Sequence, residues 1–176
     1  MEQRTPSILL GFVVMVCSAA GCGESGRAAF DGTLERSERA GAGGVATLDT
    51  VRVAQHGGFE RVVFEFREEL PGYVVEYASE RPAHCGSGEP AEVAGSAHLV
   101  VRMTPARAHE FFGERAASTI AARDLPVEQP ALRQLLLTCD FEADVSWVLA
   151  LDSRRPYRVS TLANPPRVVV DVEARR

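Results

Sequence analysis

The sequence predicts an all-β fold, a two-layer antiparallel β-sandwich, preceded by a signal peptide and a flexible tether. Three observations predict it. From Leu48 onward, apolar and polar residues alternate at a period of two, which marks strands with one buried face. Turn-forming residues interrupt that alternation at strand-length intervals. The chain of 176 residues, 45% hydrophobic and 24% charged, is long enough for one domain with a short appendage and no more.

Taken in order, Asp49 to Val53 places Val51 and Val53 on one face. His56-Gly57-Gly58 is a turn signal before Phe59 to Phe66 (FERVVFEF), where Val62, Phe64 and Phe66 point inward. Arg61, Glu65 and Arg67 point outward, with Val63 the apolar exception. Leu70-Pro71-Gly72 turns the chain into Tyr73, Val75 and Tyr77, which share a face opposite Glu76. Pro82 to Pro90 (PAHCGSGEP) has the composition of a loop. Leu99, Val101 and Met103 alternate with Arg102 and Thr104. The Ala- and Arg-rich stretch Pro105 to Asp124 fits either one short helix or a long crossover between sheets, and periodicity does not separate the two. Leu135, Leu137 and Cys139 fall on one face. Val145, Trp147, Leu149 and Leu151 form the most regular alternation, which places Trp147 in the core. Tyr157 to Leu162 and Arg167 to Val172 close the domain around Asn164-Pro165-Pro166.

The N-terminus reads as an address. Ser7 to Ala20 is an apolar run too short to span a bilayer and right for the apolar stretch of a signal peptide. Ala19-Ala20-Gly21-Cys22 resembles a lipobox, with cleavage after Gly21 and the Cys22 thiol as the lipid acceptor. The competing reading is plain secretion after cleavage at Ala20. Residues 1–21 are therefore the signal peptide, and residues 22–46 the lipidated terminus and a Gly-, Ser- and charge-rich linker. A short helix at Leu34 to Ala40 would have no apolar face to bury. Residues 47–173 form the sandwich domain.

Of four cysteines, Cys17 leaves with the signal and Cys22 takes lipid. Cys85 and Cys139 remain as an even pair in an exported domain, where a disulfide is the default. The competing role is a nucleophile or metal ligand beside His84, but paired zinc-ligand spacing is missing.

Several segments together resemble a known family: FERVVFEF, Leu70-Pro71-Gly72-Tyr73, Gly86 to Pro90, Met103 to His109, Asp140-Phe141-Glu142, Pro156 to Val159, and Asn164 to Val172. They are similar to the AMIN-like domain of bacterial lipoproteins, which is related to the N-terminal AMIN domain of periplasmic N-acetylmuramoyl-L-alanine amidases. The resemblance implies a β-sandwich that docks to the cell wall or envelope machinery without catalysis of its own. The expected setting is the extracytoplasmic face of the cell membrane or outer membrane, anchored through the N-terminal lipid. The expected partner is peptidoglycan or an envelope protein. Because the chain stops at Arg176, no amidase domain is expected to follow.

The search for chemistry agrees with that expectation. A net charge of -5 argues against a nucleic-acid binder. The absence of lysine removes Schiff-base and P-loop chemistry. His109-Glu110 lacks the second histidine of H-E-x-x-H, and no G-x-S-x-G is present. The remaining histidines, His56, His84 and His98, are scattered. No cofactor or metal is expected. Asp140, Glu142 and Asp144 share a period of two that suits Ca²⁺, but the EF-hand glycine and glutamate are missing, so a solvated acidic edge is the better reading. The candidate ligand contacts are Arg61, Arg158 and Arg167 with Tyr157, read as outward-facing, since guanidinium forks match the carboxylates of peptidoglycan stem peptides. The alternatives are a small secreted hydrolase with an unrecognised polar site, and an assembly module that pairs through an edge strand.

Overall fold

The computed structural model describes residues 29–41 and 43–174 together with Met1. The expected lipid acceptor Cys22 lies outside the described residues, as does the expected signal peptide apart from Met1. Among the described residues thirteen strands follow in order: β1 (Ser37–Arg39), β2 (Ala46–Gln55), β3 (Phe59–Phe66), β4 (Gly72–Tyr77), β5 (Ala97–Thr104), β6 (Ala106–Arg107), β7 (His109–Phe112), β8 (Arg115–Ser118), β9 (Asp124–Pro126), β10 (Leu132–Phe141), β11 (Asp144–Leu151), β12 (Tyr157–Ala163) and β13 (Pro166–Glu173). A six-stranded sheet runs β1-β4-β5-β11-β10-β9, and a five-stranded sheet runs β12-β13-β3-β2-β6. Every pairing is antiparallel except β2 with β6. The fold is thus all-β with sandwich-like sheets, as the alternation predicts.

The two inner faces supply the core. Val62, Phe64 and Phe66 of β3 meet Trp147, Leu149 and Leu151 of β11, all essentially inaccessible to solvent. The Phe64 and Trp147 rings lie 6.0 Å apart in a tilted contact that bridges the layers. Glu60 has the same strand parity and is also fully buried. Its carboxylate accepts the backbone N–H groups of Ala131 and Leu132 at 2.9 and 2.7 Å, so it pins the start of β10. Those two bonds offset the desolvation that makes a buried carboxylate costly.

One open alternative resolves to the crossover, and two details differ from expectation. The stretch Pro105 to Asp124 holds no helix; it crosses from one sheet to the other through β6 and adds a hairpin, β7–β8. Gly113, at φ +65°, supplies the left-handed residue that the two-residue turn Gly113-Glu114 needs. Within the expected linker, Thr33 and Ser37–Arg39 pair with strands of the sandwich. Thr33 exchanges two backbone hydrogen bonds with Tyr157 at 2.8 and 2.9 Å, and β1 extends the edge of β4. Strand pairing, not an apolar face, orders this segment, which is why composition hid it. Finally, Cys139 does not share a face with Leu137. A bulge at Thr138 shifts the β10 register, so Leu137 opposes Trp147 while Cys139 opposes Ser146. The cysteine is thereby turned from the core to the outer surface of the six-stranded sheet.

Candidate ligand-binding groove

That bulge helps to build an open concavity on the outer face of the six-stranded sheet. Cys139 bonds to Cys85 with a Cα–Cα separation of 5.2 Å, within the usual range for a disulfide. The bond, with the Cys85 N–H donated to the Thr138 carbonyl at 3.1 Å, ties the loop from Pro82 to Ala91 against the sheet. The loop is closed on itself by hydrogen bonds from His84 N–H to Glu89 O and from Ala91 N–H to Pro82 O. It forms a wall beside an open trough of about 610 Å³.

The trough has an amphipathic lining. Its floor is Val100 and Val148, and Pro82 and Ala83 line the loop side. Thr104, Thr138 and Ser146 contribute hydroxyls, and each hydroxyl proton is already committed inside the protein. Thr104 Oγ1 donates to Ala143 O, Thr138 Oγ1 to Ser146 O, and Ser146 Oγ to Asp144 Oδ1. The Arg102 guanidinium pairs with Asp144. Phe141, 59% exposed, lines the trough from the β10–β11 turn.

The β10–β11 turn is strained. Glu142 and Ala143 both have left-handed backbones, at φ +50° and +59°, where Asn-Gly is the usual pair. Each costs about 1–2 kcal/mol relative to an ordinary conformation. The Ala143 carbonyl accepts bonds from Ala106 N–H and Thr104 Oγ1, which hold it in place. Strain of this kind concentrates where a surface is shaped for a task.

The turn also separates the acidic residues that share a period of two. Asp140 is almost inaccessible, accepting from Ala108 N–H at 2.9 Å and facing His109 Nδ1 at 2.9 Å and Arg123 at 3.2 Å. Asp144 faces Arg102 and Ser146, and Glu142 is exposed. They form neither a shared cation site nor a solvated edge. Among the described residues no group of three or more His, Cys, Asp or Glu side chains is placed to hold a metal ion.

The predicted arginine contacts sit on the opposite layer, on the outer face of the five-stranded sheet. Arg61 forks onto Asp171 at 2.6 and 2.9 Å, and Arg158 reaches the same carboxylate at 2.9 Å. Arg167 and Arg52 share Glu65 at 2.9 and 2.7 Å. Burial pushes the Asp171 carboxyl up, but hydrogen bonds and charge from Arg61 and Arg158 outweigh it and hold the pKa below the ordinary value. Hydrogen bonding from Arg52, ahead of Arg167, holds Glu65 low as well. Arg158 also stacks over Phe30 and Phe59, at 4.8 and 5.0 Å from their centroids. The forks expected to grip ligand carboxylates are therefore engaged with the protein's own. Tyr157 is not an outward contact at all. It is fully buried, its hydroxyl lies 2.6 Å from the carbonyls of Glu35 and Val75, and burial raises its pKa to about 12. Strand parity explains the correction: Tyr157 opposes inward-facing Val172, whereas Arg158 opposes outward-facing Asp171.

The histidines stay dispersed. His56 stacks on Phe59 at 4.7 Å, His84 sits in the loop wall, and His98 lies 3.2 Å from Ala94 O. His109 lines a small cavity with Asp140, Arg123 and Ser118, but the Ser118 hydroxyl donates to Ile120 O at 3.0 Å. The sequence reading missed the groove because its key event, the bulge, leaves no mark in apolar periodicity. The one legible signal was the cysteine pair, which joins a loop to a strand.

Fold and groove together define a disulfide-stapled, two-layer β-domain with an open polar trough on one face. A family model for the AMIN-like domain matches residues 46–174, well over half of the chain, and the chain belongs to that family. No curated protein and no solved structure matches it.

Proposed function

We propose that this chain is an exported, lipid-anchored and non-catalytic cell-envelope protein whose AMIN-like domain binds peptidoglycan or an envelope protein. The observation that carries the reading is the family match, which spans the sandwich from the start of β2 to the end of β13. The lipobox-like Ala19 to Cys22 supports export and anchoring. The Cys85–Cys139 bond supports an oxidising compartment. The non-catalytic reading is supported by the dispersion of the histidines and by the serine hydroxyl beside His109 being donated to a carbonyl. In this role the sandwich is a rigid platform and the N-terminal lipid confines it to the bilayer surface, raising its local concentration at the wall.

The test is sedimentation of the purified full chain with cell-wall sacculi, paired with intact mass spectrometry of the mature protein. Co-sedimentation, a diacylglyceryl-modified Cys22 and two oxidised thiols are the expected results. Failure to sediment would remove peptidoglycan and leave the protein partner. For that second version, β12 is the favoured contact. It is a seven-residue edge strand, bridged by Thr33 at its Tyr157 end. A partner strand would add there by backbone hydrogen bonding.

A further inference from the structure

The geometry points to the trough on the six-stranded sheet as a site for the glycan strand of peptidoglycan, not for its stem peptides. This rests on the envelope-binding reading above and assigns the ligand chemistry within it. The argument is one of complementarity. The Thr104, Thr138 and Ser146 hydroxyls donate to Ala143 O, Ser146 O and Asp144, so what they keep for a ligand is acceptor capacity, most openly at exposed Thr104 and least at buried Thr138. Glu142 and Asp144 add further acceptors, against a single cation, Arg102, which is itself paired with Asp144. A surface so rich in acceptors calls for a ligand rich in donors and free of anionic charge. A stem-peptide carboxylate meets repulsion there.

The apolar parts agree. Phe141 offers an exposed ring at the rim, and half-buried Val100 gives the floor an apolar patch above buried Val148. A chain of N-acetylated sugars has both characters: hydroxyl and amide N–H donors along its edges, and apolar C–H faces that rest on an aromatic ring. The trough is open instead of enclosed, which suits a polymer that must enter without a free end. The strained Glu142-Ala143 turn places Phe141 at the rim. The arginine face offers the opposite chemistry, donors, but its forks are engaged by Asp171 and Glu65.

The experiment is calorimetric titration of the full chain in detergent micelles with the tetramer of N-acetylglucosamine and, separately, with a free stem tetrapeptide. Saturable binding of the sugar is expected. It should weaken at least tenfold in Phe141→Ala, weaken several-fold in Thr104→Val, and stay unchanged in Arg158→Gln. Both groove positions are exposed, and matching melting curves establish that the variants are folded; if one is not, the other carries the test. The inference is overturned if the tetramer does not bind. It is equally overturned if Arg158→Gln weakens binding while Phe141→Ala does not, or if the tetrapeptide binds and displaces the sugar. A chain that sediments with sacculi yet ignores the tetramer overturns the glycan assignment alone. A chain that does neither overturns the peptidoglycan reading with it.

Discussion

Asp171 shows how strongly one side chain's meaning depends on its neighbours. Alternation along β13 places it outward, yet only 3% of its side chain is exposed because Arg61 and Arg158 close over it. Its pKa is depressed by folding, so its stabilisation is present above the unfolded carboxylate value and is lost as pH falls below about 4. Asp171→Asn should therefore cost about 1 kcal/mol at neutral pH, discounted for the partly exposed arginines. Urea unfolding of both proteins at pH 7 and pH 3 should show that gap narrowing in acid. Ala143 gives a prediction of opposite sign. At φ +59° it pays for a conformation glycine adopts freely, so Ala143→Gly should raise stability by up to about 1 kcal/mol in the same assay. Neither effect was legible in the sequence. Composition shows which residues can pair, while the register of β12, β13 and β3 decides which ones do.

Among the elements, the long central strands were readable and the short peripheral ones were not. FERVVFEF and the run from Val145 to Leu151 bury one side-chain parity against the opposite layer, so their pattern records their environment directly. β1 and the β7–β8 hairpin are held by backbone bonds, leave many side chains exposed, and have little periodicity to read. Periodicity therefore does not reveal β1 within the linker segment, nor separate a helix from extended chain in the crossover. β10 is the instructive case. Its register already shifts between Leu132 and Gln134, Leu135 and Leu137 then alternate, and the bulge at Thr138 moves Cys139 to the other face. That single extra residue brings Cys139 to Cys85 and makes the wall of the groove. Replacing both cysteines by alanine removes a cross-link across a separation of 54 residues. The chain-entropy model puts its contribution at about 4 kcal/mol. Denaturant unfolding should show a loss of that order, with faster amide exchange concentrated between residues 82 and 91. A loss spread evenly over both sheets would argue against the loop being held mainly by this staple.

At the scale of the whole molecule, the two outer faces have different chemistry. One carries arginines neutralised by Asp171 and Glu65; the other carries a trough of hydroxyl oxygens, an ion pair and an exposed aromatic ring. The sequence pointed to the first face because outward-facing guanidinium forks match the carboxylates of stem peptides. The proposal above puts the ligand on the second face, because its hydroxyl oxygens keep acceptor capacity while the arginine forks are engaged. Salt separates the two faces. Contacts through exposed arginines weaken as the Debye length shrinks from about 10 Å at 0.1 M salt to about 3 Å at 1 M, whereas hydrogen bonds and ring contacts to a neutral polymer scarcely respond. The most direct test of the account is a depletion isotherm of the full chain on purified sacculi at both salt concentrations. Saturable depletion that changes less than twofold between them, and that Phe141→Ala abolishes, is the result predicted. No depletion at either salt concentration would contradict the account, as would depletion lost at high salt and indifferent to Phe141.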